Sequence, residues 1–268
     1  MADDPLHDFA RTDVTLLGET KTVYRLGSGP AVIVMAEIPG ITPKVADFAR
    51  RVAAIGCTAI MPSLFGVDGK EPSNGYIARS LVQGCVSREF VALARKTPAP
   101  VTNWLRALAQ AEHERCGGPG VGAVGMCFTG GFALAMMVDE SVRVPVLSQP
   151  SVPFPVGGAR KQDLGISDAD LRVVKERVED GVCVVGLRFT GDPMVPSERF
   201  ERLRAELGDG FIGVEIDSSK GNPHGHRKAA HSVLTEDLID EPGQPSRDAL
   251  ELVLDHFRMG LLTSSPKK

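Results

Sequence analysis

Short apolar runs and longer amphipathic segments alternate along this chain. The runs at residues 31–35 and 121–124 are continuously apolar, and the run at 183–189 is apolar except for Arg188, which is typical of strands buried on both faces of a sheet. Between them, residues 101–115 carry apolar side chains three and four positions apart, which predicts an amphipathic helix. This alternation predicts an α/β fold, with a mostly parallel sheet, right-handed crossovers and helices on both faces.

The pattern predicts eight strands, at residues 14–17, 22–26, 31–35, 58–61, 121–124, 142–147, 183–189 and 211–216. Helices are predicted at residues 43–54, 76–86, 87–95, 101–115, 132–138, 168–179, 196–207 and 247–259. Loops rich in Gly, Pro or polar residues are predicted at 65–73, 150–165 and 217–230. Since no repeat or low-complexity linker divides the chain, we expect one domain over residues 1–268.

Composition narrows the class of protein. The 268 residues are 43% apolar and 24% charged with a net charge of -4, so nucleic acid is not expected as a partner. No apolar run approaches the length of a membrane span, and the first residues do not resemble a signal peptide. The five cysteines are an odd number without CxxC spacing, which argues against a disulfide framework and favours a reducing cytoplasm.

The segment Gly125-Met-Cys127-Phe-Thr-Gly-Gly131 carries the strongest chemical signal. An apolar strand ends there and an apolar helix begins at once, so Cys127 falls on a sharp turn between them. A helix N-terminus stabilises a thiolate through its dipole and its unbonded N–H groups. This pattern predicts a nucleophilic thiol, and the alternative is a small cysteine buried in the core.

Polar residues that follow other strands complete a candidate site. Glu37 follows the strand at 31–35 and Asp192 follows the strand at 183–189, while three histidines follow the strand at 211–216. Because carboxyl ends of parallel strands meet at one edge, we expect these groups to approach Cys127. A histidine would take the thiol proton and Asp192 would orient it. The N–H groups of Phe128 and Ile38 would bind the oxyanion.

Four segments carry a wider resemblance: the Cys127 motif, Glu37-Ile-Pro-Gly40, Thr190-Gly-Asp192-Pro-Met-Val-Pro196 and Ala230-His231-Ser232-Val233. In these segments the chain resembles the dienelactone hydrolase family of α/β hydrolases. It implies an α/β-hydrolase fold with a Cys127–His231–Asp192 triad and no cofactor. It also implies that Glu37 helps to deprotonate the thiol when substrate enters.

The chain departs from the family pattern in three respects. Thr129 stands where the family usually has glycine, and a threonine needs more room there. The histidine lies further from its strand, so His224 and His226 remain alternatives to His231. The family's substrate-carboxylate arginines have no clear match. The candidates are Arg88 and Arg95, although the sequence favours solvated helix charges at both positions.

These observations predict a hydrolase of small carboxylic esters or lactones that works through an acyl-thioester. The expected partner is a small-molecule substrate, with no nucleic acid and no membrane, and the protein is expected to be a monomer or homodimer. No metal is expected, although His224, His226 and His231 could in principle form a three-imidazole site. The alternatives are a non-catalytic binding or regulatory protein on the same fold and a thiol redox enzyme.

Overall fold

The computed structural model describes residues 2–73, 75–77, 80 and 100–263. Its centre is an eight-stranded sheet with the order β1-β2-β4-β3-β5-β6-β7-β8. The strands are β1 (Ala10–Leu16), β2 (Glu19–Gly27), β3 (Ala31–Met35), β4 (Thr58–Pro62), β5 (Val121–Met126), β6 (Val142–Ser148), β7 (Val184–Phe189) and β8 (Phe211–Ile216). The first hairpin, β1 and β2, is antiparallel, β2 also pairs antiparallel with β4, and all other neighbours are parallel.

Helices in the described part of the chain cover both faces of this sheet. The main ones are α1 (Pro43–Ala54), α2 (Pro100–Cys116), α3 (Gly130–Met136), α4 (Gly158–Lys161), α5 (Asp168–Glu179), α6 (Ser197–Leu207) and α7 (Pro245–Phe257), which continues as a π-helix over Arg258–Leu262. Helix α1 begins as its sequence predicts, because the Thr42 hydroxyl accepts the Val45 N–H and Pro43 occupies the first position of the helix. None of the described helices is long and apolar enough to cross a bilayer.

Two apolar cores lie on opposite sides of the sheet. Strand β3 contributes to both, because Ala31, Ile33 and Met35 face one core while Val32 and Val34 face the other. Helices α2, α3, α5 and α6 bury their apolar sides in the first core, and α1 and α7 bury theirs in the second. The continuous apolar sequence of the central strands follows from this double burial.

The predicted α/β architecture with eight strands and a mostly parallel sheet is confirmed. Strands β3 and β8 and helix α5 have the predicted bounds, and most other elements differ at their ends by a few residues. One difference is larger: the predicted loop at 150–165 contains the short helix α4. The predicted helices at 76–86 and 87–95 lie outside the described residues, apart from residues 76, 77 and 80.

Candidate active site

A sharp turn places Cys127 above the carboxyl end of the central strand β5. Cys127 has a φ of 53°, and a single 3-10 turn, Cys127–Thr129, connects β5 to α3. Two glycines allow the turn to pack closely against its neighbours. A Cβ on Gly125 would lie 2.1 Å from the Thr129 carbonyl oxygen, and a Cβ on Gly130 would lie 2.5 Å from Cα of Pro150. The turn therefore has the geometry of a nucleophile elbow.

The Thr129 side chain fits under this turn and stabilises it. Its hydroxyl accepts the N–H of Met126 at 2.9 Å and lies 2.9 Å from the carbonyl oxygen of Met35, to which it can donate. Thr129 is fully buried, and its Oγ1 also lies near the carbonyl oxygens of Ala36 and Met126. The threonine that departs from the family pattern thus links the end of β5 to the end of β3.

The imidazole of His231 is paired with the carboxylate of Asp192. Nδ1 of His231 lies 2.6 Å from Oδ2 of Asp192, whose Oδ1 accepts the N–H of Met194. This pairing places a proton on Nδ1, and Nε2 is a buried atom with no hydrogen bond to the described residues. Burial lowers the pKa of His231, but Cys127 and the bond to Asp192 raise it more, so the net pKa is well above its ordinary value.

A second carboxylate, that of Asp237, holds the backbone that carries His231. Oδ2 of Asp237 accepts the N–H groups of His231 at 2.7 Å and Ser232 at 3.1 Å, and Arg227 donates to both carboxylate oxygens. Burial raises the pKa of Asp237, but these bonds together lower it below its ordinary value. The carboxylate is therefore ionised at neutral pH and fixes the position of the histidine.

The other two histidines after β8 have different surroundings. The ring of His226 is buried against Phe189, with a centroid distance of 4.9 Å, and His224 is partly exposed near Asp217. Burial lowers the pKa of His226, and the charge of His224 lowers it further. Within the described residues, no group of three or more His, Cys, Asp or Glu side chains is arranged to hold a metal ion.

The carboxylate of Glu37 is buried at the end of β3 and receives three hydrogen bonds. Ser232 donates to Oε2 at 2.5 Å, Thr235 donates to Oε1, and the amide of Gln149 lies 3.4 Å from Oε2. These neutral donors compensate for the burial of a carboxylate that is only 4% exposed. The bonds from Ser232 and Thr235 also connect the end of β3 to the segment that follows His231.

A cavity of about 390 Å³ lies over Cys127. Its wall includes Cys127, His231, Glu37, Ile38 and Phe128, which are five of the residues that the sequence predicts for the site. The remaining described lining residues are Pro39, Thr42, Pro72, Ser73, Ile77, Phe154, Met194, Arg227, Ser232 and Glu236. The predicted loops at 65–73 and 150–165 both contribute to this wall, the first through Pro72 and Ser73 and the second through Phe154. Arg88 and Arg95 lie outside the described residues.

Two features of the site have no local signal in the sequence. Ser151 is buried, and its Oγ lies 3.4 Å from Sγ of Cys127. Arg199 is buried on α6 and donates to the carbonyl oxygens of Pro150, Pro153 and Asp163, and burial lowers its pKa to about 10. A lone serine in a loop and one more arginine on a helix do not stand out among similar residues.

Comparison with known proteins identifies the family of this chain. The model of the dienelactone hydrolase family matches residues 15–260, so this chain belongs to that family. Membership supports a hydrolase role. No curated protein matches the sequence.

Several solved structures share the fold at low identity. A dienelactone hydrolase candidate from Klebsiella pneumoniae subsp. pneumoniae is 19% identical, with a TM-score of 0.62 over 93% of this chain and 97% of that one. A promiscuous phosphotriesterase from metagenomic libraries, described as dienelactone hydrolase-like, is 16% identical, with a TM-score of 0.60 over 94% and 98%. A cold-adapted esterase from an Arctic intertidal metagenomic library is 13% identical, with a TM-score of 0.57 over 97% of both chains. These similarities establish the α/β-hydrolase fold.

Proposed function

We propose that this protein hydrolyses small carboxylic esters or lactones through a Cys127–His231–Asp192 triad. The observation that carries the proposal is the 2.6 Å contact between His231 and Asp192, which leaves Nε2 of His231 unbonded beside the cavity that Cys127 lines. A buried imidazole oriented by a carboxylate is suited to accept a thiol proton. The raised pKa of His231 favours the charged imidazolium that this transfer creates.

In the proposed reaction, Nε2 of His231 takes the proton from Sγ of Cys127, and the sulfur attacks the substrate carbonyl carbon. The carbonyl electron pair moves to oxygen, where the N–H groups of Phe128 and Ile38 bind it. As the tetrahedral intermediate collapses, the C–O bond breaks and His231 protonates the leaving alkoxide. Water then attacks the thioester with His231 as the base, and the acid leaves as the thiol is regenerated.

The cavity supports a small substrate with an apolar portion. Ile38, Phe128, Phe154 and Met194 form part of its wall, and about 390 Å³ is within the range of small-molecule sites. Glu37 borders the same cavity, and its assistance in deprotonating the thiol stays a prediction, as does substrate binding by Arg88 and Arg95. The proposed compartment is the cytoplasm, because the described cysteines are free thiols.

The test is hydrolysis of p-nitrophenyl acetate, p-nitrophenyl butyrate and a panel of small lactones by the Cys127→Ala variant. We expect turnover to fall by about 10³-fold or more, because removal of a nucleophile leaves only binding and the oxyanion site. Acid quenching of the wild-type reaction should trap an acyl group on the Cys127 peptide, visible by mass spectrometry. Cys116→Ala, which removes a partly exposed thiol at the end of α2, is the control and should keep full turnover.

Unchanged hydrolysis by Cys127→Ala would contradict the assignment of the nucleophile. If the wild-type protein hydrolyses nothing on the panel but binds a small carboxylate tightly, the binding-protein alternative is favoured. If peroxide treatment of the wild-type protein instead gives a disulfide at Cys127 that thioredoxin reduces, the redox alternative is favoured.

A further inference from the structure

Ser151 makes two contacts with the candidate nucleophile. Its Oγ lies 3.4 Å from Sγ of Cys127, and its backbone N–H donates to the Cys127 carbonyl oxygen at 3.1 Å. The residue is fully buried, so water does not compete for this hydroxyl. In the described part of the chain, the sulfur is the hydrogen-bond partner of the Ser151 hydroxyl.

Three contacts fix the backbone around Ser151. The N–H of Gln149 donates to the Leu187 carbonyl oxygen at 2.8 Å, which attaches the segment to β7. The guanidinium of Arg199 donates to the Pro150 carbonyl oxygen at 2.5 Å. Gly130 lets Pro150 approach α3 so closely that a Cβ there would collide with it. The position of the hydroxyl beside the sulfur is therefore built into the fold rather than left to a free loop.

We propose that Ser151 is a further catalytic residue, whose hydroxyl donates a hydrogen bond to the Cys127 sulfur and stabilises the thiolate before it attacks. The inference rests on the proposed function in that it takes Cys127 as the nucleophile. A hydroxyl can be donor or acceptor, but an ionised sulfur can only accept, so the Ser151 O–H must point toward it once the thiol has lost its proton. A hydrogen bond to the charged form favours that form.

The proton balance of this step involves two residues besides Cys127. The S–H bond breaks, its proton forms an N–H bond at Nε2 of His231, and the Ser151 O–H bond stays intact throughout. When Sγ forms the C–S bond, its negative charge passes to the carbonyl oxygen. The hydrogen bond from Ser151 then weakens, so Ser151 stabilises the waiting thiolate more than the acylated sulfur.

This weakening has a measurable consequence for thiol reactivity. A stabilised thiolate is more abundant at low pH but less nucleophilic, with a Brønsted coefficient of about 0.4–0.5. Loss of the Ser151 hydroxyl should therefore make Cys127 react more slowly at low pH and faster at high pH. A merely structural loss would lower the rate at every pH. The two roles thus differ in the shape of the pH profile and not only in its height.

Other charged groups also face Cys127 and influence the pH dependence of its reactivity. Across the described cavity these are His231, Glu37, Glu236 and Arg227, with Asp192 behind His231. Ser151 touches none of their side chains through a described hydrogen bond, since Glu37 is bonded to Ser232, Thr235 and Gln149 and Arg227 to Asp237. Removal of the Ser151 hydroxyl should leave their charges in place.

The experiment is the rate of alkylation of Cys127 by iodoacetamide from pH 4 to pH 10, followed by mass spectrometry of the Cys127 peptide. For Ser151→Ala we expect the midpoint to move to higher pH. For each tenfold change in thiol acidity, alkylation should be about threefold slower below both midpoints and about threefold faster above them. Ser246→Ala, which removes an equally buried hydroxyl bonded to Ile239, is the matched control and should superpose on the wild type.

Coincident curves for Ser151→Ala and wild type, or a uniform decrease without a crossing, would overturn the assignment. Ser151→Thr keeps the hydroxyl and should keep the wild-type midpoint; a midpoint shifted as far as that of Ser151→Ala also counts against the assignment. If Ser151→Ala does not fold, as judged by near-ultraviolet circular dichroism, Ser151→Gly, which also removes the hydroxyl, takes its place and must show the same crossing.

Alkylation needs no turnover, so the two proposals can fail separately. Crossing curves in a protein that hydrolyses no ester would leave the Ser151 assignment standing without the hydrolase. Coincident curves in a protein that hydrolyses esters would reject the role of Ser151 and leave the proposed triad standing.

Discussion

The two halves of the candidate site are built in opposite ways. The elbow, residues 121–136, consists of a strand, a turn and a helix, and its geometry depends on missing side chains at Gly125 and Gly130. The histidine segment, residues 217–244, contains no helix or strand and depends on polar side chains. Asn222, for example, bonds the backbone of Ser219 and of His226. Backbone sterics thus position the sulfur, whereas charge and hydrogen bonds position the imidazole.

This difference predicts which substitutions should disrupt each half of the site. A change that adds atoms should damage the elbow, because its close contacts leave no space. A change that removes charge should damage the histidine segment, because no ladder of backbone hydrogen bonds would replace the lost contact.

The largest effect is expected from Gly125→Ala in the elbow. The new methyl group would lie 2.1 Å from the Thr129 carbonyl oxygen, so the turn must move. We expect a loss of about 2–3 kcal/mol in the free energy of unfolding, measured in urea. Ester turnover should fall by about 10²-fold, because displacement of a nucleophile by about 1 Å has an effect of that size.

The control for this prediction is Gly158→Ala at the start of α4. A Cβ on Gly158 meets nothing within 4 Å, so its free energy of unfolding should stay within about 0.5 kcal/mol of the wild type. Equal stability of Gly125→Ala and Gly158→Ala would show that the elbow has more space than its distances indicate.

A smaller effect is expected from Asp237→Asn in the histidine segment. An amide can still accept from the backbone, but it loses the ionic bonds to Arg227, whose side chain is 63% exposed and thus partly screened by water. We expect the free energy of unfolding at pH 7 to fall by about 1–2 kcal/mol and kcat/KM for p-nitrophenyl esters to fall about tenfold. The control is Asp240→Asn, which removes a more exposed carboxylate bonded to Arg51 and Arg247.

The pH dependence of this effect follows from the lowered pKa of Asp237. A carboxylate whose pKa is lower in the folded state stabilises the fold above its unfolded value of about 3.9, and that stabilisation disappears as the pH falls through the folded value. The difference between wild type and Asp237→Asn should therefore be full at pH 7 and vanish in acid. A difference that grows on acidification would contradict the ionic role of Asp237.

The smallest effect concerns two histidines of the same segment. The pKa of His231 is raised by Cys127 and Asp192 in spite of its burial, and that of His226 is lowered, mainly by burial. His231 should therefore keep its proton above pH 6.5, while His226 should lose it below that pH. The stability that His231 contributes is full below about pH 6.5 and is lost as the pH rises through its folded pKa; His226 has the opposite sign.

Nuclear magnetic resonance titration of the imidazole carbons measures both values, with His231→Gln and His226→Gln to assign the signals. A higher midpoint for His226 than for His231 would mean that the paired imidazole has been misidentified.

The comparison also explains what could be read from the sequence. The bounds of β3 and α5 were predictable because a continuous apolar run and the Ser167 cap are local signals, and the elbow was predictable because its glycines adjoin Cys127. Local sequence could not predict the Thr129 bond to Met35, because its partner lies on another strand. A glycine is visible in the sequence at the position where it acts. A hydrogen bond between distant residues is not visible at either of its two positions.

The histidine segment has fewer local signals than the elbow. The choice of His231 as the triad histidine rested on the resemblance to the family. No feature of the neighbouring sequence distinguished it from His224 and His226. The support from Asp237 had no signal, because one acidic residue in a polar loop looks like any other.

The buried guanidinium of Arg199 has a consequence for how this pocket can diversify. It holds carbonyl oxygens of Pro150, Pro153 and Asp163, which every amino acid supplies, and so it supports the main chain of the loop regardless of the side chains there. Phe154, which lines the cavity, can thus be exchanged without loss of that anchorage. Variants at Phe154 are therefore a starting point for altering substrate preference while the reacting groups keep their places.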